Sequence, residues 1–389
     1  MARVVIALSG GVDSAVAAAL LQDAGHEIEA LFMSNWAEDD DGYCTAAADF
    51  QDARRVCEEL GIPLHRASFA DEYRDRVFAP FLAELKAGRT PNPDVLCNSE
   101  VKFGVAFDYA RRLGAERLAT GHYARIGEAG RLLRALDRGK DQSYFLHALD
   151  ASRLAACLFP VGELQKSEVR RIARERGLPV AAKRDSTGIC FIGERPFGDF
   201  IGRWLPEQPG PIETAEGRAI GRHRGLARYT LGQRSGLGIG GLAGAGDAPW
   251  FVAGKDLARN ALVVVQGADH PALRCARVFG AAPHWVRGRA PAAEFECTAK
   301  LRYRQADAAC RVAVAEGRVE VHFAEPVSGA APGQYVVFYD GEECLGGAAI
   351  MDVQPPEESC RTASRPAERS RPAAAVTPTS RSTPSASRM

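Results

Sequence analysis

The sequence predicts an α/β protein: an open parallel sheet with helices on both faces, followed by two small β modules. In the first part of the chain, short apolar runs alternate with helical runs, which is typical of a parallel sheet connected by helices. Beyond about Pro206, glycine and proline become dense and helical periodicity fades. Between Ala276 and Val353, apolar and polar residues alternate with a period of two, as in antiparallel strands.

Local signals predict each element of the first part. Gly25 and Gly61 stand where two helices end, because glycine tolerates the left-handed backbone of a helix terminus. Ligands of such sheets bind beyond the carboxyl ends of the strands, so the residues after Leu8 and Leu118 are expected at the site. The predicted strands are Val4–Leu8, Ile28–Met33, Pro63–Phe69 and Arg117–Gly121, and the predicted helices are Asp13–Ala24, Asp49–Leu60, Val77–Lys86, Phe103–Leu113 and Glu168–Glu175.

The remainder of the chain predicts two antiparallel β modules and a tail. β-type runs occur at Tyr229–Leu231, Trp250–Ala253 and Ala261–Val265. The tail is rich in Pro, Ser, Ala and Arg with almost no large apolar residue, so we expect it to be disordered. The predicted domains are residues 1–204, a central β-rich domain at 205–272, a C-terminal β-barrel at 273–354 and the tail at 355–389.

Composition narrows the class of protein. A chain of 389 residues with 46% hydrophobic residues and a formal net charge of zero is an ordinary globular protein of two or three domains. No run approaches the ~18–20 apolar residues of a membrane span, and the first residues do not resemble a signal peptide. The ten cysteines are scattered, without a CxxC pair, so reduced thiols in a cytoplasmic protein are expected.

The sequence SGGVDS at residues 9–14 predicts a phosphate site between a strand and a helix. Two consecutive glycines let backbone N–H groups approach a phosphate, and the helix N-terminus adds positive potential. Ser9 and Ser14 can donate hydroxyls, and Asp13 can hold Mg²⁺ or cap the helix. No Walker-type lysine follows the glycines, which favours a loop that grips pyrophosphate during AMP transfer. The ordinary alternative is a glycine turn that only caps a helix.

The segment RTPNPDVLCNSEVKFG contains a cysteine beside a carboxylate and a lysine. Its prolines favour an extended backbone, Asp94 supplies the carboxylate, and Cys97 precedes a predicted helix that carries Lys102. A thiol near a helix N-terminus and a lysine ionises more readily than a free cysteine. Cys97 is therefore a candidate reactive thiol, with Asp94 as a nearby carboxylate.

A second cysteine lies in the segment KRDSTGICFIGERPFGDF. Cys190 follows a Ser-Thr-Gly turn, with Lys183 close in sequence. Cys57 and Cys157, in contrast, lie among apolar residues and are expected in the core. Taken singly, Cys97 and Cys190 would also be read as core thiols. Together, in polar loops rich in glycine and proline, they suggest a redox-coupled pair.

Further motifs, taken in order, resemble the bacterial tRNA-specific 2-thiouridylases of the PP-loop, or N-type ATP pyrophosphatase, superfamily. The resemblance runs from residue 3 to about residue 353, and the tail has no counterpart in it. The segment LGGAAI at 345–350 departs from the family pattern, which usually has a third glycine there. The blocks are SGGVDS, FMxNW (32–36), RTPNPDVLCNxxVKF, ATGHYAR (119–125), KDQSYFL (140–146), DSTGICFIGER, TLGQRxGLGIGG and KLRYRQ (300–305).

The resemblance implies an ATP-dependent sulfurtransferase that forms 2-thiouridine at the wobble position, 34, of tRNA. The uridine would be flipped out, adenylated on its C2 oxygen and attacked by sulfur from a persulfide on Cys190, or by hydrosulfide released from it. Cys97 would attack the Cys190 sulfur, and cellular thiols would reduce the resulting disulfide. Asp94 would act as an acid or base. The expected cofactors are ATP and Mg²⁺, the latter on Asp13.

The resemblance also assigns contacts and partners. The expected partners are tRNAs of the Glu, Lys and Gln type and a protein that donates persulfide sulfur. The enzyme is expected to be a monomer and not to bind a membrane. The implied ATP contacts are Ala7, Leu8, Ser9, Gly10, Gly11, Val12, Asp13, Ser14, Met33 and Gly121. The implied tRNA contacts are Asn92, Pro93 and Asp94 at the base and His122, Lys140, Asp141, Gln142, Arg302, Tyr303 and Gln334 elsewhere.

The first domain would then be the PP-loop catalytic domain and the C-terminal barrel would bind tRNA. In the segment KLRYRQ, the alternation of Lys300, Arg302 and Arg304 predicts a strand with one basic face for phosphates. The ordinary reading of such a triplet is a solvated strand face.

Three other readings stay open on the residues alone. A PP-loop enzyme that adenylates a small molecule needs neither Cys97 nor Cys190 nor the basic triplet. An RNA-thiolating enzyme with an iron–sulfur cluster needs three cysteines; the absence of CxxC argues against it, although Cys44 could contribute. A non-catalytic RNA-binding protein with a vestigial ATP loop would be favoured if Asp13, Cys97 or Cys190 were missing, and all three are present.

Overall fold

The first domain is built on a five-stranded parallel sheet, as the alternation of apolar and helical runs predicts. The computed structural model describes residues 1–36, 46–185, 196–240 and 246–356. The strand order is β3-β2-β1-β4-β7, with every neighbouring pair parallel. The strands are β1 Arg3–Ala7, β2 Glu27–Ser34, β3 Leu64–Ser68, β4 Arg117–Thr120, a hairpin of β5 Ala124–Ile126 and β6 Leu132–Arg134, and β7 Cys157–Leu158.

Ten α-helices cover this domain in the described part of the chain. Short π-helical stretches at Arg74–Phe78 and Cys97–Val105 join neighbouring helices into longer runs. The helices are α1 Val12–Asp23, α2 Ala46–Leu60, α3 Ala70–Tyr73, α4 Ala79–Lys86, α5 Pro93–Leu96, α6 Ala106–Arg112, α7 Ser143–Leu146, α8 Ala151–Ala155, α9 Lys166–Glu175 and α10 Phe197–Ile201.

The centre of the sheet is buried on both faces. Val4, Val5 and Ile6 of β1 are fully buried, which explains why this strand is apolar at every position. Helix α1 is buried nearly all round, and its row Ala15–Ala19 lets it pack closely between the sheet and its neighbours. Cys57 and Cys157 are core thiols, as predicted, and burial raises the pKa of both.

The helical run that carries Cys97 begins ten residues before the predicted start at Phe103. The side chain of Asn92 accepts a hydrogen bond from the Asp94 N–H at 3.2 Å, and Pro93 occupies the first helical position. These two signals start the helical run at Pro93, although the apolar pattern of residues 93–102 indicates a helix only weakly. The prediction that Cys97 lies in a polar loop is therefore wrong: the side chain is inside a helical run and only 2% of the residue is exposed.

The central module contains a mixed sheet rather than the wholly antiparallel one predicted. Its order is β10-β11-β8-β9, and the β11–β8 pair is parallel. The predicted strand at Tyr229–Leu231 is wrong: these residues follow a 3-10 turn at Leu226–Arg228, and Tyr229 packs in the module's core. The strands are β8 Gly210–Thr214, β9 Ala219–His223, β10 Trp250–Asp256 and β11 Ala261–Gln266.

The C-terminal module is a closed six-stranded antiparallel barrel. Strand β12 pairs with both β15 and β17, which closes the order β12-β15-β14-β13-β16-β17. The β5–β6 hairpin of the first domain extends this sheet through pairing of Leu132 with Cys344. The strands are β12 Arg274–Trp285, β13 Glu294–Lys300, β14 Ala308–Ala315, β15 Arg318–Ser328, β16 Tyr335–Asp340 and β17 Glu343–Gln354.

No helix in the described ranges has the length and apolar character that crossing a membrane requires. Most of the predicted tail, residues 357–389, lies outside the described residues, as does the loop around Cys190, residues 186–195.

Candidate active site

The glycine loop lies at the carboxyl edge of the sheet, between β1 and α1. Ser9 and Ser14 turn towards each other, with their hydroxyl oxygens 3.2 Å apart, and the Ser14 hydroxyl donates to the Gly11 carbonyl at 3.1 Å. Gly10 has a φ of +74°, and a Cβ there would lie 2.3 Å from the Asp49 carbonyl oxygen. Only glycine fits this position, because the loop turns tightly against α2.

The end of β4 touches the loop closely. A Cβ on Gly121 would lie 2.6 Å from the Ser14 nitrogen, so glycine is required for this approach too. Met33 lies half-buried at the end of β2, on the same edge of the sheet. Beside it, the Ser34 hydroxyl and the Asn35 amide oxygen are buried with no hydrogen-bond partner among the described residues. The residues predicted to contact ATP therefore lie around one edge of the sheet, where the Ser34 hydroxyl and the Asn35 amide oxygen are available to bind a ligand.

Asp13 does not cap α1 as one prediction allowed. The N-cap residue is Gly11, and no side chain caps the helix. The Asp13 carboxylate instead accepts hydrogen bonds from the Tyr123 hydroxyl at 2.8 Å and from the Lys166 ammonium at 2.6 and 2.8 Å. Lys166 is the first residue of α9 and lies 153 positions away in sequence, so no local pattern signals this pair.

Asp185 extends this ion-pair network. Its carboxylate is 2.8 Å from the Lys166 ammonium, 2.7 Å from that of Lys140 and 2.6 Å from the Arg170 guanidinium. Burial acts to raise the pKa of Asp185, but the hydrogen bonds from Lys140 and Lys166 outweigh it and hold this pKa well below its usual range. Neither Lys166 nor Asp185 was predicted as a site residue, although Asp185 lies in the Cys190 segment.

A second lysine holds the other side of the loop. The Lys183 ammonium donates to the Gly10 carbonyl at 3.0 Å and pairs with Asp49 at 2.6 Å and Asp52 at 2.5 Å. Burial acts to lower the pKa of Lys183, yet the two carboxylates leave it raised, so the side chain is a cation at neutral pH. Lys183 thus fixes the loop against α2.

Asp94 lies in the first turn of the helical run that carries Cys97. Burial raises the pKa of Asp94, and the positive charge of Lys102 opposes this effect only in part. A carboxyl group in this setting holds a proton more readily than a free aspartate does. Next to Cys97, the Asn98 amide donates to the Phe145 carbonyl at 3.4 Å, while its buried oxygen has no partner in the described ranges. Cys190, the second predicted thiol, lies outside the described residues.

His122 joins this helical run to the glycine loop. Its Nδ1 is 2.7 Å from the Thr120 hydroxyl, and its ring packs 5.6 Å from that of Phe103 and 6.0 Å from that of Phe159. Burial, helped by the charge of Lys102, holds the pKa of His122 well below its usual range, so the imidazole is neutral at pH 7. The segment with Cys97 therefore reaches the strand end that touches Ser14.

Several predicted tRNA contacts make internal hydrogen bonds. Asp141 is buried, and its carboxylate accepts from the Ala135 N–H at 3.0 Å and from the Ser143 hydroxyl at 3.0 Å. The Gln142 side chain accepts from the Tyr123 N–H at 2.9 Å. Such bonds fix the backbone that presents the neighbouring Lys140.

Gln334 and Tyr303 tie modules together. The Gln334 side chain donates to the Thr90 carbonyl at 2.7 Å, next to Asn92 and Pro93. The Tyr303 hydroxyl donates to the Lys140 carbonyl at 3.3 Å. Two of the barrel residues predicted to contact tRNA therefore lie against first-domain residues of the predicted tRNA site.

The prediction of a basic strand face at 300–304 is wrong. Strand β13 ends at Lys300, and Arg304 has a left-handed backbone with a φ of +64°. The guanidinium of Arg302 turns inward and donates to the Gly329 carbonyl at 2.8 Å and the Leu231 carbonyl at 2.7 Å. The alternating pattern was misleading because the chain turns at Leu301, so the three side chains do not share a face.

One cavity lies between the first domain and the barrel, and another lies in the central module. One of about 250 Å³ is bordered by α4, by Asn92 and Pro93, and by barrel residues that include Gly333 and Tyr335. It adjoins the residues predicted to contact the target base. A larger one of about 610 Å³ lies in the central module around Lys255 and contains none of the predicted site residues.

The parallel sheet with a serine–glycine loop after its first strand defines a nucleotide-binding α/β domain of the PP-loop class. Family models match three consecutive parts of the chain: a tRNA methyl transferase HUP domain at residues 2–194, a tRNA methyl transferase PRC-barrel domain at 198–266 and an aminomethyltransferase beta-barrel domain at 277–350. The chain belongs to the tRNA-specific 2-thiouridylase family.

Relatives of that name match nearly end to end. The tRNA-specific 2-thiouridylase MnmA of Alcanivorax borkumensis is 59% identical over 90% of this chain and 97% of its own length. That of Marinobacter nauticus is 57% identical over 90% of this chain and 91% of its own length. A solved structure of the U34-tRNA thiolase NcsA from Methanococcus maripaludis is 18% identical over 53% of this chain and 67% of that chain. Its TM-score of 0.34 is too low to carry an argument.

Proposed function

We propose that this protein uses ATP to replace the C2 oxygen of the wobble uridine, position 34 of tRNA, by sulfur. The observation that carries the proposal is the meeting of two segments at the carboxyl edge of the sheet. The glycine loop contacts Gly121, and the next residue, His122, packs on Phe103 of the helical run that contains Cys97. This contact supports a proposed ATP site that adjoins the helical run containing Cys97.

The first step is adenylation of the flipped uridine. The C2 oxygen attacks the α-phosphorus of ATP, the bond to the bridging oxygen breaks, and pyrophosphate leaves with the electron pair. The N3 proton of the uracil passes to a base, for which Asp94 is the candidate. Backbone N–H groups of residues 9–14 and the N-terminus of α1 would bind the leaving pyrophosphate. The oxygen on C2 then departs as AMP, a far better leaving group.

The second step delivers sulfur. The terminal sulfur of a Cys190 persulfide attacks C2, and AMP leaves with the electrons of the C2–O bond. The Cys97 thiolate then attacks the Cys190 sulfur, which breaks the bond to the transferred sulfur and leaves 2-thiouridine. If Cys97 attacks first, hydrosulfide is released and attacks C2. Either order ends in a Cys97–Cys190 disulfide, and a cellular thiol returns the two electrons.

Cys97 must become accessible for this chemistry. Only 2% of the residue is exposed in the structure. Binding of the anticodon loop is therefore proposed to open the helical run around Cys97. The helical run is kinked at Gly104, which has non-helical φ and ψ angles of −97° and −105°. A displacement there would move Cys97 without breaking the parallel sheet.

Mg²⁺ is proposed to bind at Asp13 together with ATP. The described residues hold no group of three or more His, Cys, Asp or Glu side chains that could bind a metal by themselves. The Asp13 carboxylate fits one ligand position, so ATP oxygens and water would complete the shell. The ion would neutralise phosphate charge there. Lys166, which now occupies both Asp13 oxygens, would have to give up at least one of them.

The partners follow from the reaction. The substrates are proposed to be tRNAs of the Glu, Lys and Gln type, and a persulfide-bearing carrier protein supplies the sulfur. The enzyme is proposed to act in the cytoplasm, since tRNA, ATP and reducing thiols are present in that compartment. It is also proposed to act as a monomer.

A reconstitution tests the proposal. The full chain is incubated with ATP, Mg²⁺, a persulfide donor, a reducing thiol and unmodified tRNA of the Glu type. We expect 2-thiouridine at position 34 and one AMP per thiolated tRNA, with both products measured by mass spectrometry. Cys190→Ala and Cys97→Ala should abolish thiolation. Cys157→Ala, a core thiol, is the matched control and should retain it.

Two results would refute the mechanism. One is the absence of AMP with the unaltered chain, and the other is full thiolation by the Cys190→Ala variant. Activity that depends on iron, together with a visible absorbance after anaerobic purification, would favour a cluster enzyme instead.

A further inference from the structure

The glycine loop has no lysine of its own, yet a lysine is present beside it. The Lys166 ammonium lies 2.6 Å from one oxygen of Asp13, which is in the first turn of α1. Its backbone is fixed as well, because the Lys166 N–H donates to the Asp137 carboxylate at 2.9 Å. The side chain is only 14% exposed. Lys166 is thus a cation held at both ends, at the entrance to the predicted phosphate site.

Lys166 belongs to a cluster of balanced charges. Lys166, Lys140 and Arg170 supply three positive charges, and Asp13, Asp185 and Asp137 supply three negative ones. Within this cluster the Lys166 ammonium is the positive group that contacts Asp13, in the first turn of a helix whose N-terminus has no side-chain cap. An anion that approaches the loop therefore meets the ammonium together with the positive end of the helix.

The carboxylates of Asp13 and Asp185 have different roles. Binding of Mg²⁺ at Asp13 would release the ammonium of Lys166 from at least one bond. Asp185 would then keep it in place, since it contacts Lys166 at 2.8 Å and is itself fixed by Lys140 and Arg170. The ammonium would therefore remain beside the loop, with a free N–H for a phosphate oxygen.

We infer that Lys166 supplies the phosphate-directed cation that the glycine loop lacks, and that Asp185 is the residue that positions it. The cation acts on the pyrophosphate that leaves during adenylation, where negative charge increases as the bond to the α-phosphorus breaks. A charge placed where charge develops lowers the barrier more than it tightens substrate binding. This inference deepens the proposed function and rests on it.

Steady-state kinetics of AMP formation, with tRNA, persulfide donor and a reducing thiol present, test the inference. For Lys166→Met we expect kcat to fall by about 10²-fold while KM for ATP changes by less than about threefold. Lys166→Arg keeps the charge and should recover at least about tenfold of the loss. Circular dichroism and thermal melting establish that each variant is folded.

Leaving-group dependence provides a readout that a merely structural role would not change. ATP analogues with a β,γ-CF₂ or a β,γ-CH₂ group release a more or a less acidic bisphosphonate. If Lys166 stabilises the departing group, the rate ratio of the CF₂ to the CH₂ analogue should be at least about threefold larger in Lys166→Met than in the unaltered chain. An equal ratio in the two proteins would overturn the inference.

Asp185→Asn separates positioning from simple attraction. The substitution adds one positive charge to the network, so attraction alone would speed the reaction or leave it unchanged. Loss of position should instead lower kcat by about tenfold or more. Glu168→Gln makes the same charge change on the exposed side of α9, where Glu168 pairs with Arg171, and should alter kcat by less than about twofold.

The outcomes keep the two proposals distinct. If the unaltered chain forms neither AMP nor 2-thiouridine, the proposed function fails. If it forms both while Lys166→Met keeps kcat within about threefold, only the role of Lys166 fails. A rise in KM for ATP at unchanged kcat would likewise overturn it, because that is uniform binding.

Discussion

At the scale of single residues, the site contains polar atoms that the folded chain leaves unsatisfied. Asn98 is only 3% exposed, and its amide oxygen has no partner among the described residues. A buried polar atom without a partner costs about 1–3 kcal/mol relative to one that is bonded. The neighbouring residue is Cys97, the predicted nucleophile. We interpret the unsatisfied oxygen as an acceptor reserved for a ligand.

This interpretation makes Asn98→Leu a testable substitution. Leucine has the same branched arrangement of four side-chain heavy atoms and removes the unsatisfied oxygen. It also removes the bond from the Asn98 amide to the Phe145 carbonyl, so the two effects oppose each other and the free energy of unfolding should change by less than about 2 kcal/mol. Thiolation should decrease by at least about tenfold, because the acceptor is lost. Chemical denaturation and the reconstituted assay measure the two effects. A variant destabilised by clearly more than this, or one with full activity, would contradict the interpretation.

At the scale of elements, the sequence predicted what local patterns encode. The apolar run of β1, the alanine-rich α1 and the glycines that end the helices are short-range signals, and the structure confirms the strands and helices drawn from them. The same holds for the glycine loop, whose conformation is set by Gly10 and by the helix that follows. The placement of the residues after β1 and β4 at one edge followed from the general behaviour of parallel sheets, whereas Met33 at the end of β2 was implied only by the family resemblance.

What the sequence did not predict depends on tertiary contacts. Asp13 and Lys166 pair across 153 residues, so no spacing rule finds them. The triplet at 300–304 has the alternation of a strand, but strand pairing ends at Lys300 and the next residues turn. The parallel β11–β8 pair requires a crossover that a local pattern of apolar and polar residues does not encode.

Arg302 provides a test at this scale, because it joins elements of two modules. Its guanidinium donates to the Leu231 carbonyl in the central module and to the Gly329 carbonyl in the barrel. Arg302→Met should lower the free energy of unfolding by about 2–3 kcal/mol, since two charge-assisted bonds are lost and two carbonyls are left without them. Arg304→Met, at an exposed neighbour, is the control and should change it by less than about 0.5 kcal/mol.

Affinity for tRNA distinguishes the two roles of Arg302. If it acts as a direct phosphate contact, Arg302→Met should weaken tRNA binding without loss of stability and reduce the salt dependence of binding. Because the guanidinium points inward, we expect the other result: Arg302→Met should lower the free energy of unfolding and leave the salt dependence of tRNA binding unchanged. A fluorescence binding titration at two salt concentrations, together with urea denaturation, measures both quantities.

At the scale of the whole molecule, the central module is joined to the first domain through a half-buried lysine. The Lys255 ammonium donates to the Gly88 carbonyl at 3.0 Å, just after α4. The adjacent Leu257 side chain also packs there, since a Cβ on Gly88 would lie 2.6 Å from its Cδ2. Burial lowers the pKa of Lys255 to about 8, below its ordinary value of 10.5. This contact between domains should therefore depend on pH.

The sign of that dependence follows from linkage. Below pH 8 the lysine is charged in both the folded and the unfolded chain, so burial of the charge opposes folding by up to about 3 kcal/mol. Between about pH 8 and 10.5 the folded chain has released the proton while the unfolded chain still binds it. The stability contributed at this site therefore increases with pH across that window. Above it, both states are neutral and the penalty is gone.

Lys255→Met removes the titration and makes the effect measurable. The difference in unfolding free energy between Lys255→Met and the unaltered chain should be largest in favour of methionine near pH 7 and shrink by about 2 kcal/mol by pH 10. Lys86→Met replaces an exposed lysine, the last residue of α4. Its difference in unfolding free energy from the unaltered chain should stay constant over this pH range. Urea denaturation at pH 7, 8, 9 and 10 checks both. A difference for Lys255→Met that does not change with pH would show that this lysine keeps its proton in the folded chain, and the charge at the domain contact would then have no linkage to stability.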